Sequence, residues 1–235
     1  MKITMLGHST VLIEIEGKQI ITDPYFGTWG HIAYKRVDSP AMTREQLQDV
    51  DMVLLSHNHW DHIDQKYLGS LADSVPVLAP KWASWMTKLQ GGKNVLGKSA
   101  WEEHRLGPVA ITVVPAVHVA ATVGFVLEGE GKQIYFAGDT YYHSFMQEIG
   151  RRFQLHAALI PVTTFLIPMT MGEKGAVRAV QALRPQVVIP IHLGVQPRSP
   201  LMRTRHTPQG FARRMQGAGL QTEMVLLSNG QSWTA

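Results

Sequence analysis

The sequence contains no cysteine, which excludes disulfide bonds and thiolate metal sites. Any metal that this chain binds must be held by His, Asp or Glu, and such ligand sets are more common in catalytic than in structural sites. Charge is scarce as well, since only 17% of the 235 residues are Asp, Glu, Lys or Arg, whereas 45% are hydrophobic. This composition is sufficient for a large buried core.

Long apolar runs are also missing. No segment approaches the ~20 apolar residues that a membrane-spanning helix needs, and the apolar part of the first residues is too short for a secretion signal. We therefore expect a cytoplasmic protein without a membrane span. The formal charge of +4 and the pI near 9.4 would suit an anionic small-molecule substrate, but they are too mild to indicate nucleic-acid binding.

Apolar runs and helical periodicities alternate along the chain. Strands are predicted at residues 2–6, 10–16, 18–22, 52–55, 75–79, 109–114, 122–128, 132–137, 157–160, 187–191 and 224–227. Helices are predicted at residues 43–48, 64–73, 81–89, 144–151, 172–183 and 208–216. In the helix at 81–89, Trp82, Trp85 and Met86 share one face and are expected in the core. The mixture predicts an α/β protein with helices covering sheets, and the lack of a linker predicts one domain over residues 1–235.

One segment of the chain is repeated about half a chain later. Residues 11–23 and 126–139 both read as hairpins that contain Glu-Gly-Lys-Gln-Ile, and each hairpin runs into an aspartate, Asp23 or Asp139. Unrelated hairpins often share such turn sequences, but the repeated segment is consistent with two similar sheet-plus-helix halves packed face to face.

The strongest chemical signal is the run His-Asn-His-Trp-Asp-His at residues 57–62, directly after an apolar strand. Imidazole nitrogens and carboxylate oxygens suit zinc, and also iron or manganese. One ion rarely takes four ligands from so short a stretch. His57 and His59 can turn toward one ion while Asp61 and His62 face another. The alternative is a polar loop whose aspartate caps the next helix.

Three later residues, His118, Asp139 and His192, each follow an apolar strand. The carboxyl ends of strands are where an open α/β edge places a site. A lone histidine at a strand end is more often an ordinary core or surface residue. Together with residues 57–62, however, these three predict a metal site.

The order His57-x-His59-x-Asp61-His62, then His118, Asp139 and His192, resembles the signature of the metallo-β-lactamase fold superfamily, over essentially the whole chain. The resemblance implies an αββα sandwich of two packed mixed β-sheets flanked by helices. It also implies two divalent metal ions, with zinc expected and manganese or iron as alternatives. By this resemblance His57, His59 and His118 hold the first ion, Asp61, His62 and His192 hold the second, and Asp139 bridges both. Asp23 would orient a ligand, although it could instead be a turn residue before Pro24.

Four short motifs resemble the branch of small metal-dependent hydrolases that includes L-ascorbate-6-phosphate lactonases, to which N-acyl-phosphatidylethanolamine phospholipase D-like enzymes are related. They are Gly7-His8-Ser9-Thr10, Thr22-Asp23-Pro24, Gly138-Asp139-Thr140 and Ile189-Pro190-Ile191-His192. Two features depart from this branch: His156 stands where many relatives carry aspartate, and residues 193–207 are rich in arginine.

The resemblance implies a binuclear hydrolase in which a metal-bridging hydroxide attacks a small ester, lactone or phosphodiester. Asp61, the acid within the motif, would orient the nucleophile or accept its proton. Two alternatives stay open: a nuclease or phosphodiesterase acting on nucleic acid, and a metal-binding regulatory protein without turnover. The sequence sets neither the substrate nor the oligomeric state, and a homo-oligomer is compatible with it.

Residues that shape a substrate pocket are harder to assign. Tyr25 and Trp29 belong to an aromatic segment within residues 24–42 that could form a lid over the metal edge, or an ordinary loop. Arg198, Arg203 and Arg205 could clamp a phosphate or carboxylate, or form a solvated loop. His8 could donate a hydrogen bond near the site, or cap a turn. Residues 163–165 and 169–171 could line the same rim.

Overall fold

Two mixed β-sheets pack face to face in the computed structural model, which describes residues 1–27 and 32–235. The first sheet has the order β16-β1-β2-β3-β5-β6-β7, with β1 Lys2–Gly7, β2 Thr10–Ile15, β3 Lys18–Thr22, β5 Met52–Leu54, β6 Pro76–Pro80, β7 Asn94–Lys98 and β16 Ser232–Thr234. The second sheet has the order β15-β13-β12-β11-β10-β9-β8, with β8 Glu103–Leu106, β9 Val109–Pro115, β10 Val123–Gly129, β11 Lys132–Phe136, β12 Ala157–Pro161, β13 Val187–Ile191 and β15 Glu223–Met224. A separate two-stranded ribbon pairs β4 (Tyr34–Arg36) with β14 (Val195–Pro197).

Helices cover both outer faces of this sandwich. The helices of the described chain are α1 Gln65–Ser70, α2 Ser84–Leu89, α3 Phe145–Arg152, α4 Gly172–Leu183 and α5 Pro208–Gly217. One apolar cluster fills the space between the sheets, a second lies under α3, α4 and α5, and a third lies under α1. The predicted αββα architecture is therefore confirmed. None of these helices combines the length and the apolar character needed to cross a membrane.

Local sequence signals explain where the helices begin and end. Asp64 caps α1 by accepting a hydrogen bond from the backbone N–H of Tyr67 at 2.9 Å, and Thr207 caps α5 in the same way through Gly210. Helix α4 ends at Arg184, which adopts a left-handed conformation (φ 52°) directly before a proline. For α4 and α5, the bounds predicted from the sequence agree with the observed bounds within one or two residues.

Helix α2 is the clearest departure from the sequence-based expectation. Trp82 is 84% exposed and Trp85 is 59% exposed, so the prediction that these residues and Met86 lie in the core is wrong. The helix instead buries the small face formed by Ala83 and Thr87. Periodicity identifies an apolar stripe on a helix, but it does not determine whether that stripe or the opposite one packs against the sheet.

Other short elements also differ. The helix predicted at residues 43–48 is only a 3-10 turn at Glu45–Leu47. The edge strands β7 and β8 and the three-residue strands of the ribbon were not predicted, because they are too short or too polar to show a two-residue periodicity.

The two repeated hairpin turns meet each other in space. Glu16 and Glu130 both have positive φ (52° and 54°), and the glycine after each has positive φ as well (71° and 68°). This is the conformation of a type I′ hairpin turn. The backbone N–H of Glu16 donates to Oε1 of Glu130 at 2.8 Å, and the N–H of Glu130 donates to Oε1 of Glu16 at 2.5 Å. Equivalent turns of the two sheets thus cap one another.

Candidate metal centre

The predicted metal ligands, and His8 and Asp23 that were predicted to lie beside them, follow strands that end at a common edge of the sandwich. His8 follows β1, Asp23 follows β3, residues 57–62 follow β5, His118 follows β9, Asp139 follows β11 and His192 follows β13. The parallel pairing of β3 with β5, and of β12 with both β11 and β13, brings several carboxyl ends to the same side. The structure therefore brings the histidines and aspartates of both sheets together.

His57, His59 and His118, here called the first group, offer ligand nitrogens that all lie within 4.8 Å of one another. Nε2 of His118 and Nδ1 of His59 are 3.2 Å apart. Two ligands of one tetrahedral zinc ion, each at ~2.0–2.1 Å from the metal, lie about 3.3 Å apart. Nδ1 of His57 contacts the hydroxyl of Ser56 at 2.9 Å, while its buried Nε2 has no hydrogen-bond partner among the described residues.

Asp61, His62 and His192, here called the second group, also offer atoms within 4.8 Å of one another. Nδ1 of His62 is bonded to Asp23, and its buried Nε2 has no partner in the described part of the chain. A buried nitrogen without a partner is costly unless a ligand completes it. Both groups therefore fit divalent metal ions of the kind that nitrogen and oxygen donors bind.

Asp139 lies between the two groups. Its Oδ2 is 3.1 Å from Nε2 of His192, 3.5 Å from Nε2 of His62 and 3.9 Å from Nε2 of His118. One carboxylate oxygen thus faces members of both groups. The other oxygen, Oδ1, is buried without a hydrogen-bond partner among the described residues. This is the position that a bridging carboxylate would occupy.

Asp23 is fully buried and accepts three hydrogen bonds. Its Oδ1 accepts from the backbone N–H of Ser56 at 2.6 Å, and its Oδ2 accepts from the Ser56 hydroxyl at 2.6 Å and from Nδ1 of His62 at 2.7 Å. Because Nδ1 of His62 donates here, Nε2 is the nitrogen that would bind a metal after losing its proton. With its three hydrogen bonds directed at Ser56 and His62, Asp23 holds the ring of His62 in position.

His8, like Asp23, lies behind a candidate metal ligand, in this case Asp61. Its Nδ1 accepts a hydrogen bond from the backbone N–H of Gly194 at 3.2 Å, and its Nε2 lies 3.4 Å from Oδ2 of Asp61. Burial lowers the pKa of His8 to about 3, so the ring is neutral at pH 7. A neutral ring that accepts at Nδ1 carries its proton on Nε2, the nitrogen that faces Asp61. His8 is a partner of the carboxylate and not a metal ligand.

The protonation states suit metal binding in the first group. Burial lowers the pKa of His57 well below its usual value and lowers that of His118 to about 4, which leaves both rings neutral at pH 7. Burial would raise the pKa of Asp139, but His192 and His62 hold it well below its usual value. In the second group, burial would lower the pKa of His62, but Asp139 and Asp23 raise it well above its usual value.

The backbone is left-handed at several of these strand ends. His8, Asp23 and His192 have φ of 59°, 36° and 64°, a region that costs a non-glycine residue about 1–2 kcal/mol. Gly138 has φ of 57°, and a Cβ at this position would lie 2.4 Å from Cβ of Ser56. Only glycine permits the chain to pass so close to Ser56 just before Asp139.

The metal-binding loop is also connected to helix α2. The side-chain amide of Asn58 donates to the hydroxyl of Thr87 at 2.9 Å and to Oε1 of Gln90 at 2.6 Å. Sequence reasoning missed this role of Asn58 and missed Ser56, which contacts both Asp23 and His57. The sequence signal that could have indicated both residues is their position, since Asn58 lies inside the His-rich run and Ser56 directly precedes it.

A cavity of about 180 Å³ opens over the first and second groups of candidate ligands, which are together called the metal groups. Its residues are His59, Asp61, Asp139 and His192 on the metal side, and Tyr34, Trp60, Phe165 and Met169 around them. The prediction that residues 163–165 and 169–171 could contribute to the rim agrees with Phe165 and Met169. Tyr34 belongs to the predicted lid segment and Trp60 stands between His59 and Asp61, but neither was singled out.

The predicted substrate contacts lie around this cavity and not in its lining. Tyr25 is buried behind Trp60, with ring centroids 5.6 Å apart, and its own ring is covered by Arg36. Trp29 lies outside the described residues. Within residues 24–42, Tyr34 reaches the cavity, and the ribbon that carries it is anchored beside His192 by a bond from the N–H of Val37 to Gly194.

The arginines of the loop after His192 are exposed, and none of them lines the cavity over the metal groups. Nε of Arg203 donates to the carbonyl of Pro197 at 3.1 Å, so this side chain braces its own loop. It borders a neighbouring cleft of about 290 Å³ on the other side of Phe165. An anion clamp formed by Arg198, Arg203 and Arg205 stays a prediction.

Comparisons with known proteins agree with this geometry. The family model described as "Beta-lactamase superfamily domain" matches residues 2–192. A UPF0173 metal-dependent hydrolase of Methanopyrus kandleri is 31% identical, over 99% of both chains. Among solved structures, Igni18, a metallo hydrolase from Ignicoccus hospitalis, has a TM-score of 0.80 at 25% identity, covering 99% of this chain and 97% of that one. The metallo-beta-lactamase fold protein YhfI from Bacillus subtilis has a TM-score of 0.71 at 14% identity, covering 99% and 98%.

The match to the family model covers most of the chain, and the archaeal relative matches from end to end. This protein therefore belongs to the metallo-β-lactamase superfamily and, within it, to the UPF0173 family of metal-dependent hydrolases.

Proposed function

We propose that the protein is a binuclear metal-dependent hydrolase that cleaves a small ester, lactone or phosphodiester. The observation that carries the proposal is the position of Asp139, whose Oδ2 faces His118 of the first group and both His62 and His192 of the second. Two divalent ions need an intervening anion to offset their repulsion, and Asp139 is the carboxylate placed to supply it. A likeness to lactonases in the short motifs around His8, Asp23, Asp139 and His192 favours a lactone or carboxylic ester among these substrates.

In the proposed arrangement, His57, His59 and His118 hold one ion, and Asp61, His62 and His192 hold the other. Zinc is the metal that we propose, with manganese and iron as the alternatives that reconstitution would reveal. Bound divalent ions would lower the pKa of water to near neutrality and polarise the bond under attack.

The chain's own residues then have distinct roles. Burial would raise the pKa of Asp61, but His8, His62 and His192 keep it below its usual value, so this carboxylate is ionised and can accept a proton from attacking water. The protonated Nε2 of His8 faces that carboxylate. Hydrolysis adds the water oxygen to the acyl carbon or phosphorus, breaks the bond to the leaving oxygen, and returns one proton to that oxygen.

Metal analysis of variants tests this proposal. We expect about two metal ions per chain in the purified protein. His59→Ala should remove one ion and nearly all turnover on a panel of esters, lactones and phosphodiesters. Asp139→Asn should lose the second ion preferentially, because the neutral amide no longer offsets the charge of two cations. The matched control is His143→Ala, which removes an exposed histidine outside both groups.

Two results would contradict the proposal. One is full wild-type turnover in His59→Ala or in metal-stripped protein. The other is a pair of undisturbed metal sites in Asp139→Asn, which would show that the bridging position is assigned wrongly.

A further inference from the structure

The walls of the cavity over the metal groups are made of apolar side chains. Tyr34, Trp60, Phe165 and Met169 surround the opening above His59, Asp61, Asp139 and His192. Tyr34 stacks on Trp60 with ring centroids 6.2 Å apart and contacts Phe165 at 4.9 Å. The three rings therefore form a continuous aromatic wall.

This wall is held in place from behind. Trp60 contacts the buried ring of Tyr25 edge-on, with ring centroids 5.6 Å apart. Arg36 lies over the same Tyr25 ring, with its guanidinium carbon 4.4 Å from the centroid. Nη1 of Arg36 donates to the carbonyl of Tyr25 at 2.6 Å. Tyr34 belongs to the ribbon that pairs with β14. A wall braced in this way is formed before any ligand arrives.

The segment that carries Phe165 and Met169 is fixed as well. The hydroxyl of Thr164 accepts hydrogen bonds from the backbone N–H groups of Met169 at 2.8 Å and Thr170 at 3.2 Å, which closes the loop on itself. The hydroxyl of Thr204 donates to the carbonyl of Thr164 at 2.6 Å. Phe165 and Met169 are thus presented together on one side of the opening.

Size and charge restrict what this cavity can hold. An engineered apolar cavity of about 150 Å³ binds benzene, so a cavity of about 180 Å³ that also borders the candidate metal ligands holds an apolar group of at most roughly six carbon atoms. None of the described residues that line it is a lysine or an arginine, and its carboxylates face the metal side. A carboxylate or phosphate pressed against the aromatic wall would lose hydration without gaining a cationic side chain among the described lining residues.

From this arrangement we infer that the substrate is an ester or lactone whose acyl portion is a neutral, apolar group of about six carbon atoms, seated against Trp60, Phe165 and Met169. This inference rests on the proposed hydrolytic function and narrows it to one substrate class. The aromatic wall selects the acyl group, while the adjacent metal groups act on its carbonyl.

A binding experiment tests the wall without any turnover. We would titrate fluorobenzene into the metal-free and the zinc-loaded protein and follow the ¹⁹F NMR signal. We expect saturable binding in both forms, weakened at least fivefold by Phe165→Ala and by Met169→Gln, since both changes remove apolar contacts. The matched control is Ile167→Gln, which changes an apolar side chain of the same loop that is 64% exposed.

Kinetics then tests the substrate class. With γ-lactones that carry linear side chains of increasing length, we expect kcat/KM to rise about fourfold per methylene until the cavity is filled, and to level off beyond it. A matched lactone with a terminal carboxylate should be hydrolysed at least tenfold less efficiently. The increase per methylene should shrink in Met169→Gln and stay unchanged in Ile167→Gln.

The outcomes separate this inference from the proposed function. If no substrate is hydrolysed but fluorobenzene binds as described, hydrolysis is wrong and the apolar site stands. If lactones are hydrolysed with a flat chain-length profile, or the carboxylated lactone is preferred, the inference is overturned while the hydrolase remains. The inference is also overturned if fluorobenzene shows no saturable binding, or if Met169→Gln binds it as tightly as the wild-type protein does.

Discussion

Asp23→Asn would test how strictly the second group depends on a residue that does not bind metal. Asp23 accepts hydrogen bonds from the N–H of Ser56, the hydroxyl of Ser56 and Nδ1 of His62, all within 2.7 Å. Asparagine has almost the same shape but only one accepting oxygen. Its amide nitrogen can only donate.

The substitution should act on His62 through its tautomer. If the new amide donates to Nδ1 of His62, the ring proton moves to Nε2 and blocks the lone pair that faces Asp139 and His192. Loss of such an outer partner lowers metal affinity by about 10- to 100-fold. This corresponds to about 1.4–2.8 kcal/mol in the binding free energy of the second group. The first group should change little, because His57 keeps its contact with Ser56.

The free energy of unfolding should fall too. Hydrogen bonds to a charged acceptor contribute about 1.5–3 kcal/mol, and one buried donor loses its acceptor, so we expect the metal-free protein to lose about 2–3 kcal/mol. Competition titration with chelators would give the two metal affinities, urea unfolding the stability, and ¹⁵N NMR the tautomer of His62. Asp51→Asn is a matched control on the surface, where the carboxylate contacts Lys18. A folded Asp23→Asn protein with unchanged affinity at both groups would refute this reasoning.

Three further predictions concern protons, glycine and the exposed helix. The pKa of His62 is raised, whereas the pKa values of His57 and His118 in the first group are lowered. Metal binding at pH 7 should therefore release about one proton at the second group and almost none at the first. Calorimetry in two buffers would measure the proton release, and equal release at both groups would contradict the prediction. Gly138→Ala should lower the free energy of unfolding by about 2–5 kcal/mol, because of the positive φ and the contact with Ser56, and a change below ~0.5 kcal/mol in urea unfolding would be inconsistent with that contact. Trp82→Ser and Trp85→Ser should each change stability by no more than about 0.5 kcal/mol, and a loss above ~2 kcal/mol in the same assay would mean that these rings are not exposed.

The parts of the structure that were predicted from sequence are those with a strong local signal. The helix predicted at residues 172–183 has those bounds in the structure, because an apolar periodicity is followed by Arg184-Pro185, which cannot continue a helix. The positions of His118, Asp139 and His192 at strand ends follow from buried strands that read as continuous apolar runs.

The remaining features depend on tertiary packing. The apolar spacing of Trp82, Trp85 and Met86 does not reveal which face of their helix packs on the sheet, and these side chains are exposed. The ribbon that brings Tyr34 over His192 pairs residues about 160 positions apart through strands of three residues, which carry no periodicity. The contact between Asp23 and Ser56 likewise depends on the pairing of β3 with β5, which no local sequence signal indicates.

The mutual capping of the Glu16 and Glu130 turns bears on the ancestry of the fold. Two equivalent residues exchange the same pair of contacts, as residues do across the two-fold axis of a homodimer. A shorter chain with one such hairpin would offer this contact to a second copy of itself. The arrangement is what gene duplication and fusion of a dimer would leave behind. The two halves differ at the opposite edge, where residues 57–62 of one half supply four candidate ligands and no equivalent run occurs in the other.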